Sequence, residues 1–278
     1  MKIDGELITS RQNRRVVELA KLTDRKAREG SKTFRFDGIK LLSEAIKNGV
    51  SPDAIFLRAT DAERVMDRVQ ADVGEAFSLE NTQIHLLADD VFDKISEEKS
   101  PEGVISVAKY IDKLQKNITI YNSDIFLPSE NERVVLLESV RDPSNVGAII
   151  RSAAALGVDR LIVSADCADF YHPRAVRASM GAIFNQRIDR VESLAEAIDG
   201  LRSMGRRVYA AALDEGANRL GGFKIEKGDC VVIGNEGHGL TASVIDACDG
   251  KVFIPMSGRA ESFNAAVAAS ILMWEFTR

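Results

Sequence analysis

The 278-residue sequence has only three cysteines and one tryptophan, and no apolar run long enough to cross a membrane. A spanning helix needs about 20 mostly apolar residues. The cysteines, Cys167, Cys230 and Cys248, are odd in number and widely spaced, which argues against a disulfide framework or a zinc site. The N-terminus lacks the apolar core of a signal peptide. We therefore expect a cytoplasmic protein that binds no metal.

Excess positive charge is also absent, because the formal net charge is −5. That value argues mildly against a nucleic-acid-binding protein, but local charge matters more than the total. Residues 11–40 hold ten basic and four acidic side chains. This bias predicts a phosphate-contacting surface, with Arg11, Arg14 and Arg15 as its first candidates. The alternative is a solvated helix face with ion pairs four residues apart.

The first 110 residues show apolar patterns that alternate between strand and helix periods. We expect a helix capped by Ser10, a strand near Phe34, a helix opened by Gly38, strands near 54–57, 84–87 and 103–108, and a helix capped by Asp89. This order predicts a small α/β domain over residues 1–110. Residues 111–131 are mostly polar and are interpreted as a linker, with one short strand at 118–120.

Residues 132–278 repeat a pattern of short apolar strands separated by helices. Either Ser144 or Asn145 is expected to cap the first helix, and Gly157 to end it. The pattern predicts a mostly parallel sheet with its site at the carboxyl ends of the strands. No glycine-rich dinucleotide fingerprint follows an early strand, so an ordinary Rossmann nucleotide site is not supported.

Three polar or glycine-rich blocks follow predicted strands in this second half. They read N-x-G-x-x-x-R at 145–151, G-N-E-G-x-G-L at 234–240, and I-P-M with E-S-x-N at 254–264. Ser262 and Asn264 precede an Ala-rich helix pattern, so they are expected either to cap that helix or to face a ligand at its N-terminus.

Together, these blocks resemble the three signature motifs of the SpoU (TrmH) family of RNA ribose 2′-O-methyltransferases. The resemblance runs from about residue 133 to the C-terminus. Shorter matches at 10–13, 37–45 and 101–104 are similar to the substrate-binding domain that precedes many such catalytic domains, which has a fold akin to RNA-binding ribosomal proteins. The resemblance implies a trefoil knot at the C-terminus, a homodimer with its site near the subunit interface, and S-adenosylmethionine held in a bent shape by the second and third motifs.

The resemblance also implies roles for individual residues. Arg151 would activate the ribose hydroxyl, although a guanidinium is a poor literal base and could instead stabilise the alkoxide or act with an RNA phosphate. The other catalytic candidates, which hold the ribose, Arg151 or the motif loops, are Asn145, Glu236, Ser262 and Asn264. The cofactor-binding candidates are Ala212, Gly234, Gly239, Ile254, Met256 and Phe263. Two further arginines before Gly181, Arg174 and Arg177, would grip RNA phosphate.

Each of these residues also has a simpler structural interpretation. Arg151 could pair with a surface carboxylate, Asn145 could be a helix cap, and Glu236 could be an exposed turn residue. The glycines could serve turn geometry, and the apolar residues could be core. At position 263 the family usually has leucine, so Phe263 would tune the pocket.

Two classes of function remain. The first is S-adenosylmethionine-dependent methylation of a ribose 2′-hydroxyl, with ribosomal RNA preferred as substrate and transfer RNA as the alternative. The second is a non-catalytic RNA-binding or assembly protein that keeps the fold. A resistance methyltransferase acting on ribosomal RNA belongs to the first class and has no separate sequence signal.

Overall fold

The computed structural model describes residues 6–111, 118–120, 128–129, 132–214, 216–235, 237–259 and 261–278, with only the backbone for 118–120. Its internal contacts form two compact units. The first comprises Met1–Ile111 and Asp169–Phe184, and the second comprises Asp112–Ala168 and Asn185–Arg278. Strands and helices are numbered along the chain.

The first unit is a five-stranded mixed sheet with helices packed on it. Its strands are β1 (Leu7–Ile8), β2 (Thr33–Asp37), β3 (Ala54–Arg58), β4 (Gln83–Leu87) and β5 (Val104–Lys109), in the order β1–β4–β3–β5–β2. Its helices are α1 (Arg14–Lys21), α2 (Arg25–Ser31), α3 (Ile39–Lys47), α4 (Ala62–Val73), α5 (Asp89–Ile95) and α7 (Pro173–Ser179). β5 runs antiparallel to both of its neighbours. Apolar residues of α1 and α5 bury Phe56 and Ile105 in one core cluster.

The second unit is built on an eight-stranded, all-parallel sheet. Its strands are β6 (Ile118–Ile120), β7 (Val134–Leu137), β8 (Arg160–Ser164), β9 (Arg187–Val191), β10 (Val208–Ala211), β11 (Asn218–Arg219), β12 (Cys230–Ile233) and β13 (Gly250–Phe253), in the order β11–β13–β10–β12–β7–β8–β9–β6. Its helices are α6 (Pro143–Leu156), α8 (Leu194–Ser203), α9 (Ala242–Ala247) and α10 (Ala265–Thr277). The parallel α/β class predicted from the sequence is confirmed.

Helices in the second unit cover the sheet and bury its apolar strands. α8 and α9 pack over β7, β10 and β12 in one core cluster, and α10 packs against α6 and β12. The strands β7 and β12 are buried along their whole length, as expected for parallel strands covered on both faces.

Three predicted helix caps are wrong, because another residue holds the cap position in each helix. Asn13, not Ser10, caps α1 by accepting from the Arg15 N–H at 3.0 Å. The α6 cap is Asp142, whose carboxylate accepts from the N–H groups of Ser144 and Asn145 at 2.7 and 3.1 Å. Pro143 then takes the first helical position, where a missing N–H costs nothing.

The third error concerns α5, which begins at Asp89 itself. The cap position is Ala88, and no side chain bonds to the first free N–H groups there. Asp89 and Asp90 instead lie in the first turn, where their charge complements the helix dipole.

Two segments lie differently from their expected domain positions. Residues 118–120 do form a strand, but it pairs with β9 at the edge of the second unit's sheet rather than standing in a linker. Residues 169–184, expected within the second domain, pack in the first unit. Asp169 there receives two hydrogen bonds from the buried Arg28 guanidinium, at 3.1 and 2.7 Å.

Candidate active site

The three sequence motifs meet at one edge of the second unit's sheet. The strands β13, β10, β12 and β7 are neighbours and parallel, so their carboxyl ends lie side by side. Ile254 follows β13, Ala212 follows β10, and Gly234 follows β12. The loop after β7 leads into α6, which carries Asn145 and Arg151. This is the placement that the strand pattern predicts.

A cavity of about 260 Å³ opens at this edge, between the strand ends and α10. All six residues expected to bind the cofactor line it: Ala212, Gly234, Gly239, Ile254, Met256 and Phe263. Ser262 lines it as well. Its volume is close to the lower end of the roughly 300–1,000 Å³ range of small-molecule sites. Phe263 is 40 % exposed, which excludes its alternative interpretation as a core residue.

Two backbone segments approach each other closely in the loop after β12. A Cβ added to Gly234 would lie 2.5 Å from the Gly239 carbonyl carbon and 2.7 Å from the Leu240 nitrogen. Gly239 has a φ of +68°, in the left-handed region that favours glycine. Both glycines are therefore needed for the shape of this loop, which forms one wall of the cavity.

Asn264 joins the third motif to the first. Its side-chain Oδ1 caps α10 by accepting from the N–H groups of Ala266 and Val267, at 2.9 and 3.3 Å. Its Nδ2 donates to Asn145 Oδ1 at 3.0 Å. Asn264 therefore caps α10 and, with the same amide, links the third motif to the first. Ser262, the other proposed cap, does not cap α10.

Arg151 lies on α6, six residues beyond Asn145, which is about 120° around the helix. It is exposed. The structure contains no ion pair or hydrogen bond between its side chain and another described residue, so pairing with a surface carboxylate is not observed. Glu236 lies outside the described residues.

Known protein families match both units. Residues 132–274 match the SpoU rRNA methylase family, and residues 13–106 match the MRM3-like substrate-binding domain. The first match covers more than half of the chain and contains all three motifs. The chain belongs to the SpoU rRNA methylase family.

Similar proteins match over nearly the whole chain. A 23S rRNA (guanosine(2553)-2′-O)-methyltransferase, RlmP, from Bacillus subtilis is 28 % identical, over 96 % of this chain and 97 % of the relative. A 23S rRNA (uridine(2479)-2′-O)-methyltransferase from Streptomyces viridochromogenes is 31 % identical, over 98 % of this chain and 91 % of the relative. The AdoMet-bound crystal structure of an rRNA methyltransferase from Sinorhizobium meliloti aligns with a TM-score of 0.78 at 27 % identity, covering 98 % of this chain and 97 % of that one.

Sequence reasoning missed three residues that shape the second SpoU motif. The Asn235 amide donates to the Ser139 carbonyl at 2.8 Å and accepts from the N–H groups of Gly237 and His238, at 2.8 and 3.1 Å. Ser139 itself has a φ of +53°, which is unusual for a residue with a side chain. The only signal in the sequence was that Asn235 stands inside the motif.

Glu138, at the end of β7, is the third residue that sequence reasoning missed. It is 6 % exposed, and its carboxylate accepts from both the N–H and the hydroxyl of Thr241, at 2.8 and 2.7 Å. Through Thr241 it fixes the start of α9 and the end of the glycine-rich loop. A carboxylate directly after a buried apolar strand was the available signal.

The basic N-terminal surface is smaller than its composition suggests. Arg28 and Arg35 are 1 % and 0 % exposed, and each forms an ion pair inside the first unit, with Asp169 and Asp37 respectively. These two arginines are structural.

The arginines singled out for RNA binding also differ among themselves. Arg14 pairs with Glu18 at 2.7 Å, Arg11 with Asp90 at 3.5 Å, and Arg177 with Glu98 at 3.0 Å. Arg15 and Arg174 are exposed. Of these two, Arg15 has no carboxylate partner among the residues that the structure describes.

No helix in the described part of the chain is long and apolar enough to cross a membrane. Over the same residues, the structure shows no group of three or more His, Cys, Asp or Glu side chains that could hold a metal ion.

Proposed function

We propose that this protein transfers a methyl group from S-adenosylmethionine to a ribose 2′-hydroxyl in ribosomal RNA. The second and third SpoU motifs line one cavity, and the Asn264–Asn145 hydrogen bond joins the first motif to them; this arrangement carries the proposal. The two 23S rRNA methyltransferases named above support ribosomal RNA as the substrate class.

The lining of the cavity fits the cofactor. Ile254, Met256 and Phe263 offer apolar surface for the adenine and the methionine chain, and Gly234 and Gly239 leave backbone polar groups uncovered by side chains. The cofactor, when bound, supplies an electrophilic sulfonium methyl group. The described residues that line the cavity are mostly apolar. An apolar lining keeps water away from the bound cofactor and so limits its hydrolysis.

Arg151 and the asparagine pair would act on the ribose. Methyl transfer needs the 2′-oxygen held in line at near-attack distance, and the hydroxyl must lose its proton as it attacks. Asn145, oriented by Asn264, would hold the ribose through its amide. The Arg151 guanidinium would stabilise the developing alkoxide, with an RNA phosphate as proton acceptor. Ser262 and Glu236 complete the proposed catalytic set, by holding the ribose and ordering the second motif.

The rest of the proposal concerns assembly and location. The first unit would bind RNA through Arg11, Arg14 and Arg15 of the proposed substrate-binding domain over residues 1–110, and through Arg174 and Arg177 of the 169–184 segment. The chain beyond 132 would form the SpoU-type trefoil knot and pair as a homodimer, with the site near the interface. The cytoplasm is the proposed compartment, in agreement with three cysteines that form no disulfide.

The deciding experiment measures transfer of labelled methyl from S-adenosylmethionine into unmodified ribosomal RNA and bulk transfer RNA, assayed separately. We expect label in ribosomal RNA at a site that becomes resistant to alkaline cleavage. Arg151→Ala should lower kcat about 100-fold or more, and Arg151→Lys should not restore it fully, because lysine lacks the planar fork of donors.

Arg219→Ala is the matched control, because Arg219 is an exposed arginine of β11 outside the motifs. It should keep full activity. Label in transfer RNA alone would reject the substrate class. Cofactor binding with no transfer to either RNA, or to partly assembled ribosomal particles, would support the non-catalytic alternative.

A further inference from the structure

A second cavity lies in the first unit, far in sequence from the SpoU motifs. It measures about 430 Å³ and opens between the α1–α2 segment and the sheet. Ala54 and Phe56 of β3 form its apolar floor with Val107 of β5, since Ala54 and Val107 are direct partners in the sheet. A concave apolar surface with a few polar groups at its rim is the usual form of a binding site.

His85 gives this cavity its polar wall. It is 8 % exposed, and its ring lies 4.8 Å from that of Phe56, its neighbour in the sheet. Neither ring nitrogen of His85 makes a hydrogen bond with a described residue. Because His85 lines the cavity, its imidazole can hydrogen-bond a molecule that occupies it. Burial and the nearby Arg15 charge lower the pKa of His85, which keeps the ring neutral and able to both donate and accept.

The surroundings of His85 extend the polar wall. Gln83 lies two residues earlier on β4, so its side chain is on the same face of the sheet. It is exposed and lines the same cavity. His85, Gln83 and Arg15 also line an adjoining, more polar cavity of about 520 Å³ that reaches Ser10 and Asn13. The two cavities therefore form one continuous groove.

The rim of the groove is positively charged. Arg15 and Lys21 line it and are exposed, and neither pairs with a carboxylate in the described part of the chain. Two acidic side chains line the groove: Glu18, which is already paired with Arg14 at 2.7 Å, and Glu6 in the adjoining cavity. An apolar aromatic floor, a neutral amide and imidazole wall, and a cationic rim suit a planar heterocycle attached to a phosphate chain.

We propose that this groove is a binding pocket for one unpaired nucleobase of the RNA, with Phe56 and His85 as its aromatic surface. Gln83 and the His85 nitrogens hydrogen-bond the edge of the base, and Arg15 and Lys21 hold the adjoining phosphates. Sequence-specific proteins read RNA mainly at splayed-out, single-stranded bases. The pocket therefore selects single-stranded segments of the RNA. This inference rests on RNA as the proposed substrate.

The test compares binding of fluorescein-labelled 12-nucleotide oligo(U) and oligo(A) with an abasic strand of equal length, by fluorescence anisotropy in 0.1 M salt without cofactor. We expect the wild-type chain to bind at least one base-bearing strand roughly 5- to 100-fold more tightly than the abasic strand, the range produced by base stacking and its hydrogen bonds. Gln83→Ala and the cavity-filling Ala27→Phe should reduce that ratio about five-fold or more while leaving abasic binding unchanged.

Gln70→Ala, an exposed glutamine of α4 outside the groove, is the matched control and should keep the wild-type ratio. Thermal unfolding of each variant checks that it is folded. An unchanged ratio in both groove variants would overturn the proposal, as would equal affinity of the wild-type chain for all three strands.

A second measurement needs no variant. Photocrosslinking of 4-thiouridine in the oligonucleotide to the wild-type chain, mapped by mass spectrometry, should label the groove residues. Labels confined to other surfaces would reject the pocket.

The experiments test the base-binding pocket and the methyltransferase activity independently of each other. Arg151→Ala should keep the base preference, whereas a chain with base preference but no methyl transfer would refute the enzyme and retain the pocket.

Discussion

At the scale of single residues, Asn264 performs two tasks with the two ends of one amide. The oxygen caps α10 and the nitrogen binds Asn145. An N-cap stabilises a helix by about 1 kcal/mol, and serine or aspartate would serve that purpose equally well. Aspartate has no donor, and serine has its donor and acceptor on one short hydroxyl, whereas the asparagine amide carries a separate donor nitrogen that reaches the Asn145 oxygen. The requirement for asparagine therefore comes from the site and not from the helix.

We predict that substitution of Asn264 separates these tasks. Asn264→Ser should keep the stability of the wild-type chain, because serine is an equally good cap, but lower kcat about 10-fold or more through loss of the bond to Asn145. Asn264→Ala should lower kcat similarly and also cost about 1 kcal/mol of unfolding free energy. Thermal unfolding and single-turnover methyl transfer measure the two effects.

A double-mutant cycle with Asn145→Ala provides the control for this prediction. If the two asparagines act as a unit, the double variant should be little worse than either single variant. Additive losses in kcat would mean that the hydrogen bond between them does not matter for the reaction.

The sequence identified most of these residues by motif and left out those defined only by contacts. Asn145 and Asn264 are 119 positions apart, and their hydrogen bond could not be read from spacing. Glu138 was not found because a carboxylate after a strand has many possible partners, and only the fold brings it to Thr241. For the same reason, composition placed Arg28 on a basic surface although its partner Asp169 lies 141 positions away.

At the scale of elements, the loop after β12 shows why glycine spacing matters. Gly234 and Gly237 stand in the same motif, yet their surroundings differ. A Cβ on Gly234 would lie 2.5 to 2.7 Å from backbone atoms of Gly239 and Leu240, whereas the nearest atom to a Cβ on Gly237 is the Asn235 side-chain oxygen at 3.5 Å. Backbone atoms cannot move aside as the end of a side chain can.

We therefore predict opposite outcomes for two Gly→Ala substitutions in this loop. Gly234→Ala should displace the loop and weaken S-adenosylmethionine binding about 10-fold or more, since the loop forms one wall of the cavity. Gly237→Ala should change the affinity by less than about two-fold. Isothermal titration with the cofactor measures both. Equal losses in the two variants would show that the motif requires flexibility rather than close backbone approach.

Elements with a clear apolar period were predicted well. Two-residue strands, and a helix held in place by a buried charged side chain, were not. The strands β3, β4 and β5, expected near 54–57, 84–87 and 103–108, lie within one residue of those bounds. The two-residue strands β1 and β11 have no period to detect, and α2, with the sequence RKAREGS, has almost no apolar face. It is held instead by the Asp24 cap and by the buried Arg28, which are tertiary features.

At the scale of the whole molecule, α10 carries more apolar surface than one chain can bury. Its sequence is apolar on all sides, AAVAASILMWEFT, which is typical of a helix covered all round. One side packs against α6 and β12. Nevertheless, Val267 and Trp274, which share a face seven residues apart, are 46 % and 57 % exposed in the single chain. Large exposed apolar side chains that share a helix face are typical of a protein interface.

We predict that this stripe is the centre of the proposed homodimer interface. Tryptophan is a frequent anchor at such interfaces, so Trp274→Glu should shift the chain from dimer to monomer in sedimentation-velocity experiments at micromolar concentration, while the circular dichroism spectrum stays that of the folded protein. Val17→Glu, which replaces an apolar side chain of α1 that is 37 % exposed, is the matched control and should leave the dimer intact. A wild-type chain that sediments as a monomer would contradict the homodimer, and a Trp274→Glu chain that remains dimeric would place the interface elsewhere.

Because the site is proposed to lie near the interface, monomeric Trp274→Glu should also lose methyl transfer. Full activity in that monomer would show that one chain is sufficient for catalysis.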